Sequence, residues 1–416
     1  MPLPATVPAP PKAAADGAGS GAASMSSAGT AAPAERVAEL AALIREHAPA
    51  GRRDRRLPPA PIEALREAGL YRLLQPRRWG GAEAAPGAFF DTQIAIAEHD
   101  MSTGWLYGVM GVLAFHVGLF DDRAQAEVWG ENPNAILASS NMPRGGAVPS
   151  GDGFTISGRW GFASGIDHCD WVILGGVVQQ PEGASGPPDV RAFLLPRDQV
   201  QVVETWTSAG LAGTGSHDVV VEGAFVPAWR SHSNAERFAG RNPGCAVNTG
   251  PLYRIALPQM LLRAISSAAI GALAGMVAEV TENLRPRVSV TGAKAAEDPV
   301  GQLAIGEALA ALDEMRVVLH ADMDRLMAAA ERDVDPGLAA RRIHRQHAVT
   351  VPERCARLAW RLFKATGASG LSAELPFAAR LADIQAARQH VANQYEIYGR
   401  LLGASTLGLE PVDMLL

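Results

Sequence analysis

The feature that most constrains the fold is the order of three hydrophobic patterns along the 416 residues. Residues 35–130 show helical periodicity, residues 131–245 alternate apolar and polar residues as strands do, and residues 246–416 return to helical runs. Elements grouped in this way predict an α+β protein with an N-terminal helical domain, a central β domain and a C-terminal four-helix bundle. They argue against a doubly wound parallel sheet.

Composition excludes several classes of protein. Residues 1–34 consist almost wholly of Ala, Gly, Pro and Ser, which predicts a disordered tail. A net charge of −6 argues against nucleic-acid binding. We find no apolar run of membrane-span length, no metal-ligand spacing and three widely separated cysteines, which favours a reduced, cytoplasmic protein. A Rossmann fingerprint is also absent from the sequence.

Residues 158–171, "GRWGFASGIDHCDW", pack two tryptophans, a phenylalanine, a histidine and three glycines into fourteen positions. Strands seldom combine such residues. The pattern suits either a packed sandwich strand with a turn serine or a strand end that faces an aromatic ligand.

Five segments in order resemble the acyl-CoA dehydrogenase fold, and in detail its flavin-dependent monooxygenase branch, the oxygenase components of two-component aromatic and polyketide hydroxylases. They are "YRLLQPRRWGG" (71–81), "LFDDRAQAEVWG" (119–130), "GRWGFASGIDHCDWVILGG" (158–176), "AGLAGTGSHDVVVEGAFVP" (209–227) and "ADIQAARQHVANQYE" (382–396). Together they span most of the folded chain.

The resemblance implies a chemistry and a set of partners. Diffusible reduced FMN or FAD, supplied by a flavin reductase, would react with O2 to form a C4a-hydroperoxide that hydroxylates a small aromatic substrate. The intermediate needs a dry site with its hydrogen bonds already in place. The resemblance also implies a homo-oligomer, expected to be a tetramer.

The resemblance assigns cofactor roles within residues 158–171. Phe162 would lie against the flavin ring and Ser164 would hydrogen-bond near N5. Gly165 would allow close approach of the backbone. Trp160, together with Trp171, would form walls of the pocket.

A second resemblance in the branch concerns His390. Asp383, Ala387 and His390 would share one face of a continuous helix. His390 occupies the point where the dehydrogenases carry a catalytic glutamate, and an imidazole suits acid–base chemistry on a phenol or peroxide near neutral pH.

Four more residues are weaker candidates. Ser140, or its neighbour Ser139, lies in a segment that would cover the flavin, although a plain turn serine fits equally. Gly367 and Ser369 resemble the segment that a neighbouring subunit offers to the flavin phosphate, with a simple helix–helix turn as the alternative.

His116 lies one helical turn beyond the position, here Leu113, where this branch often has a substrate-facing histidine. It would either reach the same pocket or pack as a helix histidine.

Two other functions stay open at this level. An amino-sugar N-oxygenase shares the fold and the flavin chemistry. An acyl-CoA dehydrogenase with bound FAD would need a glutamate that His390 replaces.

Overall fold

The computed structural model describes residues 32–183, 185–289 and 291–411. The predicted tail, residues 1–34, lies outside the described residues apart from its last three, and the first helix begins at Pro33. The described residues from Pro33 onward form one compact unit.

Five helices form the N-terminal region. They are α1 (Pro33–Asp54), α2 (Pro59–Glu67), α3 (Pro86–His99), α4 (Met101–Gly118) and α5 (Asp122–Trp129). α3 and α4 are separated at Asp100, whose carboxylate accepts a 2.8 Å hydrogen bond from the Thr103 backbone N–H and caps α4. Because α4 is buried almost along its whole length, it is the central helix of this region.

A seven-stranded sheet follows. Its strands are β1 (Leu137–Ser150), β2 (Gly153–Ala163), β3 (Trp171–Val178), β4 (Val190–Pro196), β5 (Gln201–Val203), β6 (His217–Pro227) and β7 (Ser231–Ser233). The order is β5-β6-β2-β1-β3-β4-β7, with β1 and β3 parallel and the other pairs antiparallel. The predicted central β domain, residues 131–245, therefore starts six residues before its first strand.

The remaining helices complete the chain. They are α6 (Asn234–Ala239), α7 (Leu257–Ala264), α8 (Ala268–Leu284), α9 (Pro299–Glu331), α10 (Gly337–Ala365), α11 (Phe377–Arg388) and α12 (Tyr395–Thr406). The apolar stretch Leu257–Leu284 is long enough to cross a membrane, which our reading of the sequence missed. Because 83% of its most apolar 18-residue segment is buried inside the protein, we interpret α7 and α8 as core helices.

The continuous helix predicted through His390 is wrong. α11 ends at Arg388, His390 adopts φ −58° and ψ 138°, and a short 3₁₀ turn then leads into α12. The helical face predicted for Asp383 and Ala387 therefore does not extend to His390. No local residue predicts this break, because residues 382–396 contain neither glycine nor proline.

Two large hydrophobic cores, and one small cluster of Leu262, Ala348 and Ala392, stabilise the part of the chain that the structure describes. The larger core joins α1–α5 to the C-terminal helices, and the smaller lies on one face of the sheet. α4 packs on β1 as well as on its helical neighbours, and its Met110 lies against Gly165, two residues beyond the end of β2.

Candidate functional site

The end of β2 carries a strained aromatic residue. Phe162 has φ +61°, a left-handed conformation that non-glycine residues seldom adopt, and its side chain is 72% exposed. Its ring meets Trp206 edge-on, with 6.1 Å between the ring centroids. Strain held by surrounding structure, combined with an exposed apolar ring, is typical of a ligand-facing residue.

A chain of three hydroxyl groups lies behind Phe162. The Thr214 hydroxyl donates to the Leu211 carbonyl oxygen at 2.8 Å, and the Ser216 oxygen lies 2.7 Å from the oxygens of both Thr214 and Ser164. A hydroxyl group has one hydrogen. When Thr214 donates its hydrogen to the Leu211 carbonyl oxygen, Ser216 donates to Thr214 and Ser164 donates to Ser216. The half-buried Ser164 oxygen is therefore left able only to accept a further hydrogen bond.

Gly165 brings this strand end against α4. It has φ +74°, and a Cβ atom built there would overlap the Met110 sulfur. Its N–H donates to the Thr214 carbonyl oxygen at 3.1 Å. Only glycine allows both the turn and this close packing.

His390 lies at the turn after α11. Its Nδ1 accepts a 3.1 Å hydrogen bond from the Ala392 backbone N–H, so the neutral ring carries its hydrogen on Nε2. Burial, reinforced by the Arg345 guanidinium, lowers the pKa of His390 to about 4. The residue is thus a neutral N–H donor near neutral pH, whereas the sequence predicts a group that titrates there.

α4 contacts both the strand end at Gly165 and the ring of His390. Trp105 packs against the His390 ring at 5.7 Å between centroids, while Met110 packs under Gly165. Five residues of α-helix span about 7.5 Å along the axis. The acceptor at Ser164 and the donor at His390 are therefore anchored to neighbouring turns of one rigid helix.

Comparison with known proteins identifies the architecture. The profile of the acyl-CoA dehydrogenase C-terminal domain matches residues 263–395. The oxygenase subunit HsaA of a Mycobacterium tuberculosis flavin-dependent monooxygenase is 35% identical over 89% of this chain and 94% of its own length. The chain belongs to the flavin-dependent monooxygenases of the acyl-CoA dehydrogenase fold.

Two further relatives support this assignment. The oxygenase component of an FADH2-dependent resorcinol hydroxylase from Rhizobium is 31% identical over 90% of this chain and 94% of its own length. The crystal structure of a 3-HSA hydroxylase from Rhodococcus sp. RHA1 superposes with a TM-score of 0.88 at 32% identity, covering 93% of this chain and 99% of that one. The fold expected from the sequence is confirmed.

Trp160 does not form a wall of the monooxygenase site. It has no exposed surface, it lies in the smaller core of the sheet, and its indole N–H donates to the Gly175 carbonyl oxygen at 2.6 Å. A Cβ atom at Gly145 would overlap its ring, so β1 is shaped around it. The period-two alternation places Trp160 and Phe162 on the same face, but the irregular pairing of β2 with β6 after Trp160 separates them.

Ser140 lies in β1 rather than in a covering loop. Its hydroxyl donates to the Gly161 carbonyl oxygen at 2.8 Å, which ties β1 to the residue before Phe162. The neighbouring Ser139 oxygen accepts from the Asn141 side chain at 3.2 Å. Ser140 thus stabilises the strained end of β2 through this hydrogen bond.

The Gly367 and Ser369 segment forms an exposed 3₁₀ turn after α10. Arg287, which sequence reasoning missed, donates to the Ser369 hydroxyl at 2.8 Å and also to the Thr366 carbonyl oxygen. A guanidinium beside a glycine-rich turn is a suitable donor set for a phosphate. Only its proximity in the fold reveals it, because Arg287 lies 82 residues away in sequence.

His116 is fully buried near the C-terminal end of α4. Its ring packs against Phe120 and His232 with centroid distances of 5.2 and 5.8 Å. Burial, the Arg237 guanidinium and His232 hold the pKa of His116 well below its usual range. A base that must accept a proton near neutral pH is therefore not found at His116.

Proposed function

We propose that this chain is the oxygenase component of a two-component monooxygenase that hydroxylates a phenolic substrate with reduced flavin and O2. The observation that carries the proposal is the polarity of the Ser164–Ser216–Thr214 chain. It leaves an acceptor beside an exposed, strained aromatic residue, Phe162. Reduced flavin carries a hydrogen on N5 and is a matching donor, whereas oxidised flavin has only a lone pair there.

The residues present fit a flavin. Phe162 offers an apolar face, Ser164 an acceptor, and Gly165 a close backbone approach. Arg287 and the turn at Gly367–Ser369 would hold a phosphate of a flavin bound to a neighbouring subunit. Reduced flavin supplies the electrons that activate O2 for insertion into the ring.

The side chains of this chain then have separate tasks. Ser164, with its own hydrogen committed to Ser216, cannot donate a proton toward the cofactor. His390 donates from Nε2 to the hydroxyl or phenolate oxygen of the substrate and so orients the ring. With a pKa of about 4, His390 positions the substrate without removing its proton at neutral pH.

The partners and assembly form part of the proposal. Relatives described as oxygenase subunits or components support a separate reductase. Large apolar side chains lie exposed along α9 and α10, among them Leu303, Val317 and Trp360. Such surfaces mark protein interfaces and support a homotetramer. The three free cysteines, Cys169, Cys245 and Cys355, support a cytoplasmic location.

The direct test compares reduced with oxidised FMN and FAD under anaerobic conditions, followed by turnover on a panel of phenols with a flavin reductase. We expect tighter binding of reduced flavin and hydroxylated product only when the reductase, NAD(P)H and O2 are all present. Tight stoichiometric binding of oxidised FAD with oxidation of an acyl-CoA would instead support the dehydrogenase function.

A further inference from the structure

α6 is a six-residue surface helix with one residue turned inward. Ala235, Glu236 and Ala239 are exposed, while the Arg237 side chain is 3% exposed. Its Nη1 lies 3.4 Å from His116 Nε2, and its Nε has no hydrogen-bond partner. Among the described residues no carboxylate pairs with this guanidinium, and burial alone lowers the pKa of Arg237 to about 9.

Two histidines, His116 and His232, pack together beside this guanidinium. His232 is fully buried, and neither of its ring nitrogens has a hydrogen bond of standard geometry. His116 Nδ1 also has no partner, and Phe120 packs against both rings. Burial and Arg237 hold the pKa of His232 well below its usual range, with the Asn242 amide offsetting this only in part. The cluster thus contains one cation and two neutral imidazoles.

An arrangement of this kind lowers the stability of the folded protein. A buried charge without a counter-ion loses its hydration, and each buried nitrogen without a partner loses a hydrogen bond. A carboxylate would relieve both losses, since its two oxygens accept from a guanidinium and from neighbouring N–H groups. No described side chain supplies that carboxylate.

The position of the cluster relates it to the oxygenation site. Trp105, Val109 and His116 lie on one face of α4, at positions i, i+4 and i+11. His116 is seven residues from Val109, about 10 Å along the axis, and eleven from Trp105, about 16 Å. Because Trp105 packs on His390, one helix face runs from the His390 donor to the cationic cluster.

We propose that His116, His232 and Arg237 form a subsite for the carboxylate of an elongated aromatic substrate, whose hydroxylated ring lies at the His390 end. The inference rests on the proposed function and specifies its substrate class. α6 covers this subsite and must shift to admit the acid. A multi-ring acid or an aromatic acid with a long side arm matches the spacing, and a short arylacetate does not.

The test is binding in the absence of flavin, measured by calorimetry. The probes are 4-hydroxyphenyl-alkanoic acids with short and long side arms, together with their methyl esters. We expect the long acid to bind about 10- to 100-fold more tightly than its ester, which is the effect of one hydrogen-bonded ion pair. Arg237→Gln removes this difference, while Arg237→Lys keeps part of it. Arg241→Gln, at an exposed arginine four residues further on, keeps all of it.

Thermal unfolding gives a second readout that a structural role would not produce. The long acid raises the Tm of the wild type and leaves that of Arg237→Gln unchanged. Equal affinity for acid and ester in the wild type overturns the proposal. An Arg237→Gln variant that loses affinity for the acid and for the ester by the same factor overturns it as well. Dissociation of the oligomer in Arg237→Gln, without acid binding to the wild type, would place the missing carboxylate on a second copy of the chain and also overturn it. Acid binding without hydroxylation of any phenol would refute the proposed function and leave the subsite standing.

Discussion

The hydroxyl chain behind Ser164 makes a specific prediction about Ser216→Ala. The substitution removes the group that accepts the Ser164 hydrogen at 2.7 Å, so the Ser164 hydroxyl is free to turn and donate. It can then bond to the N5 lone pair of oxidised flavin as well as to the N5 hydrogen of reduced flavin. We therefore expect Ser216→Ala to lose preference for the reduced cofactor.

The size of the effect follows from the structure. A neutral hydrogen bond contributes about 1 kcal/mol net, which corresponds to roughly a five-fold change in affinity. Thr214→Val should act in the same direction and more weakly, because Ser216 could still accept from Ser164 while it turns its own hydrogen elsewhere. Thr214 is buried, so this variant also leaves the Leu211 carbonyl oxygen without one donor, at a cost of about 1 kcal/mol in stability.

The assay is anaerobic equilibrium dialysis of each variant against reduced and oxidised flavin. The ratio of the two dissociation constants should fall by roughly five-fold in Ser216→Ala. Ser150→Ala, at an exposed serine at the end of β1, is the matched control and should keep the wild-type ratio. An unchanged ratio in Ser216→Ala, with a changed ratio in Ser164→Ala, would refute the donor direction derived for the chain.

Substitutions at three further positions test the roles of Ser164 and His390 and the effect of Asp383 on stability. Ser164→Ala should stay folded and release more H2O2 per NAD(P)H with less hydroxylated product; unchanged coupling would remove Ser164 from the site. His390→Ala should lose about 10²-fold in product formation, as expected when a preorganised hydrogen-bond donor is removed, and His390→Gln should retain part of the rate through its amide N–H. Neither the wild type nor the Gln variant should show a kinetic pKa from this residue between about pH 6 and 9. Burial and Asp100 raise the pKa of Asp383 to about 7, against the partial effects of Arg52 and Arg380, so the folded state binds a proton that the unfolded state has released. Stability should therefore fall as pH rises from about 4 to 7, and Asp383→Asn should raise the Tm at pH 8 and have little effect at pH 4; a lower Tm at pH 8 would contradict this.

The order of elements could be read from the sequence, because helical and strand periodicities are local patterns, and they gave the α+β architecture. Within residues 158–171, it was the resemblance to the monooxygenases that pointed to Phe162, Ser164 and Gly165. The same resemblance also pointed to His390, and it predicted that the Gly367–Ser369 segment binds the flavin phosphate. The comparisons confirm the family and the fold.

Other features depend on contacts that no local pattern reveals. Trp160 was predicted to form a wall of the pocket, and the sheet instead buries it on its core side. Sequence alone could not give the pKa of His390, because the burial and the Arg345 charge that lower it come from tertiary packing. The direction of the Ser164 hydroxyl depends on a carbonyl oxygen of Leu211, 47 residues further along the chain.

The measurement that tests the central claim most directly is the origin of the oxygen in the product. The chain, a flavin reductase, NAD(P)H and a phenolic substrate are incubated under ¹⁸O2, and the product is analysed by mass spectrometry. We predict one ¹⁸O atom in each hydroxylated product and no product when reduced flavin is omitted. Product that carries its new oxygen from water, or that forms with oxidised flavin alone, would contradict the account.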